Sequence, residues 1–313
     1  MTQAAAQSSA SASADVIVVG AGPAGSSAAY HMATLGLDVI LLEKQELGRD
    51  KVCGDGLTPS AVRELVSMGM DTTGWQRNRG LRVIGGGHLL HFPWPEQASF
   101  PSYGMARPRA LLDRDLAEHA AAAGARLLTG VTVTGPVTSP TGRVTGVEAR
   151  PTNRVAYPGI EGPTTFTAPL VVDAGGVSAR LATAVGRTKN ERRPMGVAVR
   201  AYFRSPRAKD AWMESRLELW DGTPGKSDLL PGYGWIWSVG EGLVNVGLGS
   251  VSSRAQATAI DYRAVFNRWM DNVPASWGFT KENQVGGLVS AALPMAFNRK
   301  PHYADGLMLL GDA

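Results

Sequence analysis

DVIVVGAGPAGSSAAYHMATLGLDVILLEK (residues 15–44) decides the fold of this chain. DVIVVG reads as a buried strand, GAGPAG as a glycine turn, SSAAYHMATLG as a small-residue helix closed by Gly36, and LDVILLEK as a second buried strand. This is a β-α-β unit of about thirty residues, the size of a parallel-sheet crossover. Gly20, Gly22 and Gly25 form G-x-G-x-x-G between the first strand and the helix. The first glycine allows the tight turn, the second lets backbone approach a pyrophosphate, and the third lets the helix pack close to the strand. Glu43 ends the second strand, 18 residues after Gly25, where it can accept a hydrogen bond from a ribose hydroxyl. Ala24 in the turn and Lys44 beside Glu43 are counted with them as cofactor-binding residues. A glycine turn without a ligand is the alternative reading, and the full order of strand, turn, helix, strand and acid weighs against it. The fingerprint alone does not choose between NAD and FAD.

In 313 residues the chain has room for two modest domains, or one large one with insertions. Its hydrophobic share of 44% and charged share of 19% are those of a globular protein. The 31 basic residues are scattered rather than massed, which disfavours nucleic acid as a partner. The net charge of +4 suits a weak peripheral contact with an anionic membrane surface. A single cysteine, Cys53, excludes an internal disulfide and a multi-thiolate metal site. His88 and His91 in GGGHLLHF, without carboxylates beside them, read as turn and strand residues, so no metal is expected. No apolar run reaches the roughly 18 residues of a membrane-spanning helix. MTQAAAQSSASASA lacks the basic and apolar regions of a secretion signal and reads as the disordered tail (1–14) of a cytoplasmic protein.

Beyond the first unit, SAVRELVSMG and RPRALLDRDLAEHAAAAGA read as helices, the latter stopped near Gly124. RLLTGVTVTGPV and GRVTGVEAR alternate as strands do, and PLVVDAGG is another buried strand ending in glycines. Residues 75–103 look hairpin-like, residues 196–250 are strand-rich, and ATAIDYRAVFNRWMDNV is an amphipathic helix. The expected organisation is a nucleotide-binding domain from 15–74, 104–188 and 300–313, with 75–103 and 189–299 as an inserted β-rich substrate domain. GTPGKS (222–227) is set aside as a phosphate loop, because Trp220 stands where its first glycine should be.

DAGGVSAR (173–180) and GLMLLGDA (306–313), together with GAGPAG, resemble the three flavin-binding segments of a large FAD-dependent family. That family includes aromatic hydroxylases, flavin halogenases and geranylgeranyl reductases. The resemblance spans nearly the whole chain from Asp15 and implies a doubly wound α/β, Rossmann-like FAD-binding domain. It adds Asp173, Gly175, Arg107, Gly311 and Asp312 to the cofactor-binding residues, with Asp312 on the ribityl chain. The family carries a helix after this Gly-Asp pair, so the sequence is expected to be a piece of a longer chain.

KVCGDGLTPSAVREL (51–65) resembles the cysteine-glycine loop of geranylgeranyl reductases, which lies beside the flavin ring. PGYGWIWSVGEGLVNVGLG (231–249) is similar to their Tyr-x-Trp-x-Phe-Pro segment, part of a lipid cavity. Tyr233 and Trp235 match it, while Trp237 and Ser238 replace Phe and Pro. The resemblance implies an FAD-dependent reductase that saturates isoprenoid double bonds of a geranylgeranyl group or a menaquinone side chain. Its electrons would come from NAD(P)H or a ferredoxin-like protein. Tyr233, Trp235 and Trp237 would bind the prenyl lipid, with Cys53 and Tyr233 as candidate catalytic proton donors. Two other readings stay open: a flavin monooxygenase or halogenase acting on an aromatic substrate, and a non-catalytic lipid-binding flavoprotein. The bland alternatives are a packed core cysteine and aromatics that only fill space.

Overall fold

The computed structural model describes residues 11–51, 54–152, 162–189, 194–252, 260–295 and 299–313. The chain divides into two compact units. Met1–Arg49, Ala110–Arg192 and Phe297–Ala313 form the first, and Asp50–Arg109 with Arg193–Ala296 form the second.

The first unit is built on a six-stranded sheet in the order Tyr303–Ala304, Leu307–Leu309, Leu170–Asp173, Val16–Val19, Val39–Leu42, Arg126–Leu128. The last five run parallel. Their near-continuous apolar sequences are those of strands covered on both faces, and alternation sends successive residues to opposite sides. Ile17, Ile40, Leu42, Val171 and Leu307 meet a four-stranded sheet through Val131, Val144, Val147 and Phe166. Val16, Val18, Val39, Leu41 and Val172 meet helices Pro23–Thr34 and Arg109–Ala122 through Ala29, Ala117 and Ala120. Alanines there let the helices lie close to the sheet. The class is the expected one, α/β with a Rossmann-like parallel core.

Two local expectations change. RLLTGVTVTGPV is not one strand. Gly130, at φ +67°, breaks it into Arg126–Leu128 on the parallel sheet and Val131–Thr138 on the four-stranded one. The tail expected over 1–14 is ordered where it is described: Ser11–Ser13 forms a strand paired in parallel with Thr165–Thr167. Small residues carry no apolar pattern, and here backbone pairing to a neighbouring edge supplies the order instead.

The second unit holds a seven-stranded sheet: Gln284–Pro294, Met195–Arg204, Leu243–Ser252, Gly232–Gly240, Trp212–Arg216, Gly80–Gly85, His88–Pro93. Helix Tyr262–Met270 starts at Asp261, whose carboxylate accepts the backbone N–H groups of Arg263 and Ala264. That helix buries Tyr262, Val265, Phe266 and Trp269 against Val199, Ala201, Phe203, Ile236, Val244, Val246 and Leu248. By alternation, the opposite face of the same strands carries Arg200, Tyr202, Asn245, Tyr233, Trp235 and Trp237.

A charge cluster fastens the 80–93 hairpin to this sheet. Buried Glu214 is paired with Arg82 (3.2 Å), Arg207 (2.7 Å) and Arg216 (2.8 Å), and Asp210 with Arg82 and Arg207 (2.5 Å each). Burial pushes the Glu214 carboxyl up, but hydrogen bonding by Arg207 and the charges of Arg207 and Arg216 outweigh it, and the net shift is downward. A depressed carboxyl contributes stability above its unfolded pKa of about 4.3 and loses it as pH falls through the folded value. The melting-temperature gap between wild type and Glu214→Gln should therefore be full at neutral pH and close as the solution is acidified below about pH 4. Melting curves recorded across that range check it. A gap that stays constant would remove Glu214 from the acid response.

Candidate functional site

Three glycine-bearing segments of the first unit converge where its parallel strands end. Val19 and Asp173 are register partners, and Asp173 is also opposite Leu309, so GAGPAG, DAGG and LLGDA leave the sheet side by side. The carboxyl edge of a parallel sheet is where α/β proteins bind ligands. Gly20 takes φ +100°, and a Cβ there would lie 2.6 Å from the Ala174 carbonyl oxygen. At Gly25 a Cβ would fall 1.9 Å from the Gly20 carbonyl oxygen. Gly311, at φ +64°, brings the last turn to the first, since its Cβ would meet that of Ala24 at 3.1 Å.

Helix Pro23–Thr34 begins at Gly22 with no side-chain cap and proline in its first turn. An uncapped helix start leaves backbone N–H groups and a partial positive charge facing an anion. Glu43, 6% exposed, braces the turn: Oε2 accepts the Ala21 N–H and Oε1 the Gln45 N–H, both at 3.0 Å. A small pocket beside it is lined by Ala21, Glu43, Glu46, Leu47, Arg49 and Arg114. The uncapped helix, the glycine cradle and this pocket fit the pyrophosphate and adenosine of a dinucleotide.

The remaining cofactor candidates differ in what they touch. Lys44 is exposed, and its carbonyl accepts the Thr152 hydroxyl. Asp173 is 1% exposed and is spent inside the protein, with Oδ1 on the Gly175 N–H (3.1 Å) and Oδ2 on the Ala182 N–H (3.4 Å). Burial pushes its carboxyl up. Asp173 thus ties down the turn that presents Gly175. Asp312 is exposed in the last turn. Arg107 belongs to the second unit, where its guanidinium lies 5.2 Å from the Trp75 ring and its N–H donates to the Asp55 carbonyl.

Within the second unit the three aromatic residues of strand Gly232–Gly240 differ in exposure, with Trp237 half-buried. Tyr233 is 43% exposed, while Trp235 is 7% exposed and donates from Nε1 to Asn245 Oδ1 at 2.8 Å. Trp237 stacks on Trp235, with centroids 5.7 Å apart and planes at 16°, and its own buried Nε1 has no hydrogen-bond partner among the described residues. Beside them stand residues that sequence reasoning missed: Asp55, Arg200, Tyr202 and Asn245. Arg200 pairs with Asp50, donates to the Lys51 carbonyl and lies over the Tyr202 ring at 4.2 Å. One signal was available. In GVAVRAYF, Arg200 and Tyr202 sit two apart in a strand that is otherwise apolar, which marks a polar face. Cys53 lies outside the described residues. His88 and His91 fall on the edge strand His88–Pro93, and among the described residues no cluster could hold a metal.

A glycine-cradled, uncapped helix at the carboxyl edge of a parallel sheet defines a dinucleotide-binding protein, and the comparisons resolve which kind. Residues 13–259 match the FAD binding domain family, to which this chain belongs, and its cofactor is FAD. Among proteins of that class it is similar to the menaquinone reductase of Mycolicibacterium smegmatis, with 38% identity over 96% of this chain and 70% of that protein. It is also similar to digeranylgeranylglycerophospholipid reductase 2 of Methanopyrus kandleri, with 29% identity over 96% of this chain and 70% of that one. In fold it resembles the crystal structure of a geranylgeranyl bacteriochlorophyll reductase-like protein from Thermoplasma acidophilum. That match has TM-score 0.76 and 23% identity, over 96% of this chain and 71% of that one. No described helix is long and apolar enough to cross a membrane.

Proposed function

We propose that this chain reduces carbon–carbon double bonds in the isoprenoid chain of a polyprenyl lipid, using FAD. The observation that carries the reading is the pair of relatives just described. One is named for menaquinone and the other for a digeranylgeranylated glycerophospholipid, and a polyprenyl chain is the part those substrates have in common. A face bearing Tyr233, Trp235 and Trp237 suits such a chain, because aromatic rings bury apolar area with little loss of freedom.

Gly20, Gly22, Ala24, Gly25, Glu43, Lys44, Gly175, Gly311 and Asp312 would hold the cofactor, with Asp173 bracing the turn that presents Gly175, and Arg107 is proposed as a further cofactor residue. FAD in its reduced form supplies a hydride. An isolated alkene accepts hydride poorly, so the chain must deliver a proton to the other carbon and keep bulk water away. Cys53 Sγ and Tyr233 Oη are the proposed donors. Hydride and proton together add two hydrogens to one double bond. The electrons arrive from NAD(P)H or a ferredoxin-like protein, and the substrate is reached by peripheral contact with the membrane that contains it.

The test is anaerobic incubation of the FAD-loaded protein with a chemical reductant and menaquinone, read by mass spectrometry. The expected product is heavier by two hydrogens in its side chain. Oxygen-dependent NAD(P)H consumption stimulated by an aromatic compound, with the lipid unchanged, would point to a monooxygenase or halogenase instead. Tight lipid binding with no product from reduced flavin would leave a lipid-binding flavoprotein.

A further inference from the structure

The polar residues beside the aromatic strand form one chain of hydrogen bonds with a fixed direction. Asp55 is wholly buried. Its Oδ1 accepts the Arg109 N–H at 2.9 Å, and its Oδ2 accepts the Tyr202 hydroxyl at 2.8 Å and the Asn245 amide nitrogen at 2.6 Å. Asn245 Oδ1 in turn accepts the Trp235 Nε1–H at 2.8 Å. An indole nitrogen only donates, and the Asp55 carboxyl, although burial pushes it up, accepts from its neighbours at both oxygens. The amide between them therefore has one workable orientation, nitrogen towards Asp55 and oxygen towards Trp235. Turned over, it would set donor against donor at the indole and acceptor against acceptor at the carboxylate, each left unsatisfied in a buried place.

The other side of the indole is seated on backbone. Gly247 and Gly249 stand on the neighbouring strand, opposite Trp235 and Tyr233. A Cβ at Gly247 would lie 2.3 Å from Trp235 Cζ2, and one at Gly249 would lie 3.3 Å from Cζ3. The ring lies across a strip where a side chain at Gly247 would collide with it and one at Gly249 would crowd it. Its neighbours follow it: Tyr233 sits 5.9 Å from Trp235 by ring centroids, and Trp237 stacks on the other side.

We propose that Asp55 is a positioning residue for the aromatic wall: through Asn245 it fixes the plane of the Trp235 indole over Gly247 and Gly249, and so sets the surface that receives the substrate chain. What lies on the wall rests on the prenyl reading above. How the wall is held does not.

The test exchanges the two side chains' chemistry. In Asp55→Asn the new amide can keep accepting from the Arg109 N–H only by turning its nitrogen towards Asn245. The Asn245 amide then turns over and leaves the Trp235 Nε1–H facing another donor. In ¹⁵N-labelled, FAD-loaded protein, the indole signal assigned by its loss in Trp235→Phe should shift upfield and exchange with solvent faster. KM for menaquinone should rise roughly tenfold, with kcat changed by no more than about threefold. The double variant Asp55→Asn/Asn245→Asp again places an acceptor against Trp235 and a donor against that acceptor, and should restore the signal and KM together. Tyr202→Phe removes one donor without reversing the amide and should leave the Trp235 signal in place.

An unmoved Trp235 signal in Asp55→Asn would overturn the proposal. So would a double variant no better than its parents. Where Asp55→Asn does not fold, Asn245→Asp alone, with two facing carboxylates, and its rescue by the second change carry the same decision. If no variant and no wild type acts on prenyl lipids, the functional reading fails, while the indole signals still decide how the wall is held.

Discussion

Valine at position 25 should leave the purified protein colourless. The Cβ of any residue placed there falls 1.9 Å from the Gly20 carbonyl oxygen, and 3.1 Å from the Ala174 Cβ. The first of these is backbone, so no flexible side chain can swing aside. The helix Pro23–Thr34 must move off the sheet, and its uncapped N–H groups move with it. Forcing extra carbons into a packed site costs about 1–3 kcal/mol even where neighbours can yield. With both neighbours fixed to the sheet, we expect FAD affinity to fall at least about a hundredfold, on the basis that 1.4 kcal/mol is tenfold. The measurement is flavin absorbance per protein after purification, beside a circular dichroism spectrum. Gly135→Ala is the control, since a Cβ there meets nothing within 4 Å. A yellow Gly25→Val protein would mean that the cofactor does not depend on this turn.

Cys53→Ser should bind FAD as wild type does and reduce prenyl chains slowly, by a factor of about 10²–10⁴, the usual worth of one positioned proton donor. The serine hydroxyl keeps the size of the thiol but is a far weaker acid. Tyr233→Phe is the companion variant, because Tyr233 is the second proposed proton donor. A rate loss confined to Tyr233→Phe would move the donor there and return Cys53 to a packing role. Wild-type rates in both would remove the two candidates together.

The first β-α-β unit was legible because every signal in it is local: apolar strands, glycines at fixed spacing, an acid at the strand end. The convergence of DAGG and LLGDA on that turn was legible only as a resemblance, since the register that places Asp173 between Val19 and Leu309 is not written in any one segment. Asp55 and Asn245 are 190 residues apart in sequence, and only the pairing of strands brings them together. Gly247 reads as a weak spot in a strand until Trp235 is known to lie across it. Ser11–Ser13 gave no signal because its order comes from a partner's edge and not from its own side chains. Asp173 entered as a cofactor residue through the resemblance, and the two backbone N–H groups it accepts were not legible in the sequence.

The strand order of the parallel sheet also sets a timetable. Val16–Val19 pairs with Leu170–Asp173, which pairs with Leu307–Leu309, so neighbours in the sheet are made far apart on the ribosome. Between Leu170–Asp173 and Leu307–Leu309 lie about 130 residues of chain, which at roughly 5–20 residues per second take some seven to twenty-six seconds to synthesise. Through that interval Leu170–Asp173 lacks a partner along the edge that Leu307–Leu309 later takes. Nascent chains are therefore most open to chaperone capture and to sticking to one another in this window. Slowing translation between residues 173 and 307 should lower the yield of folded protein more than slowing it anywhere before residue 170.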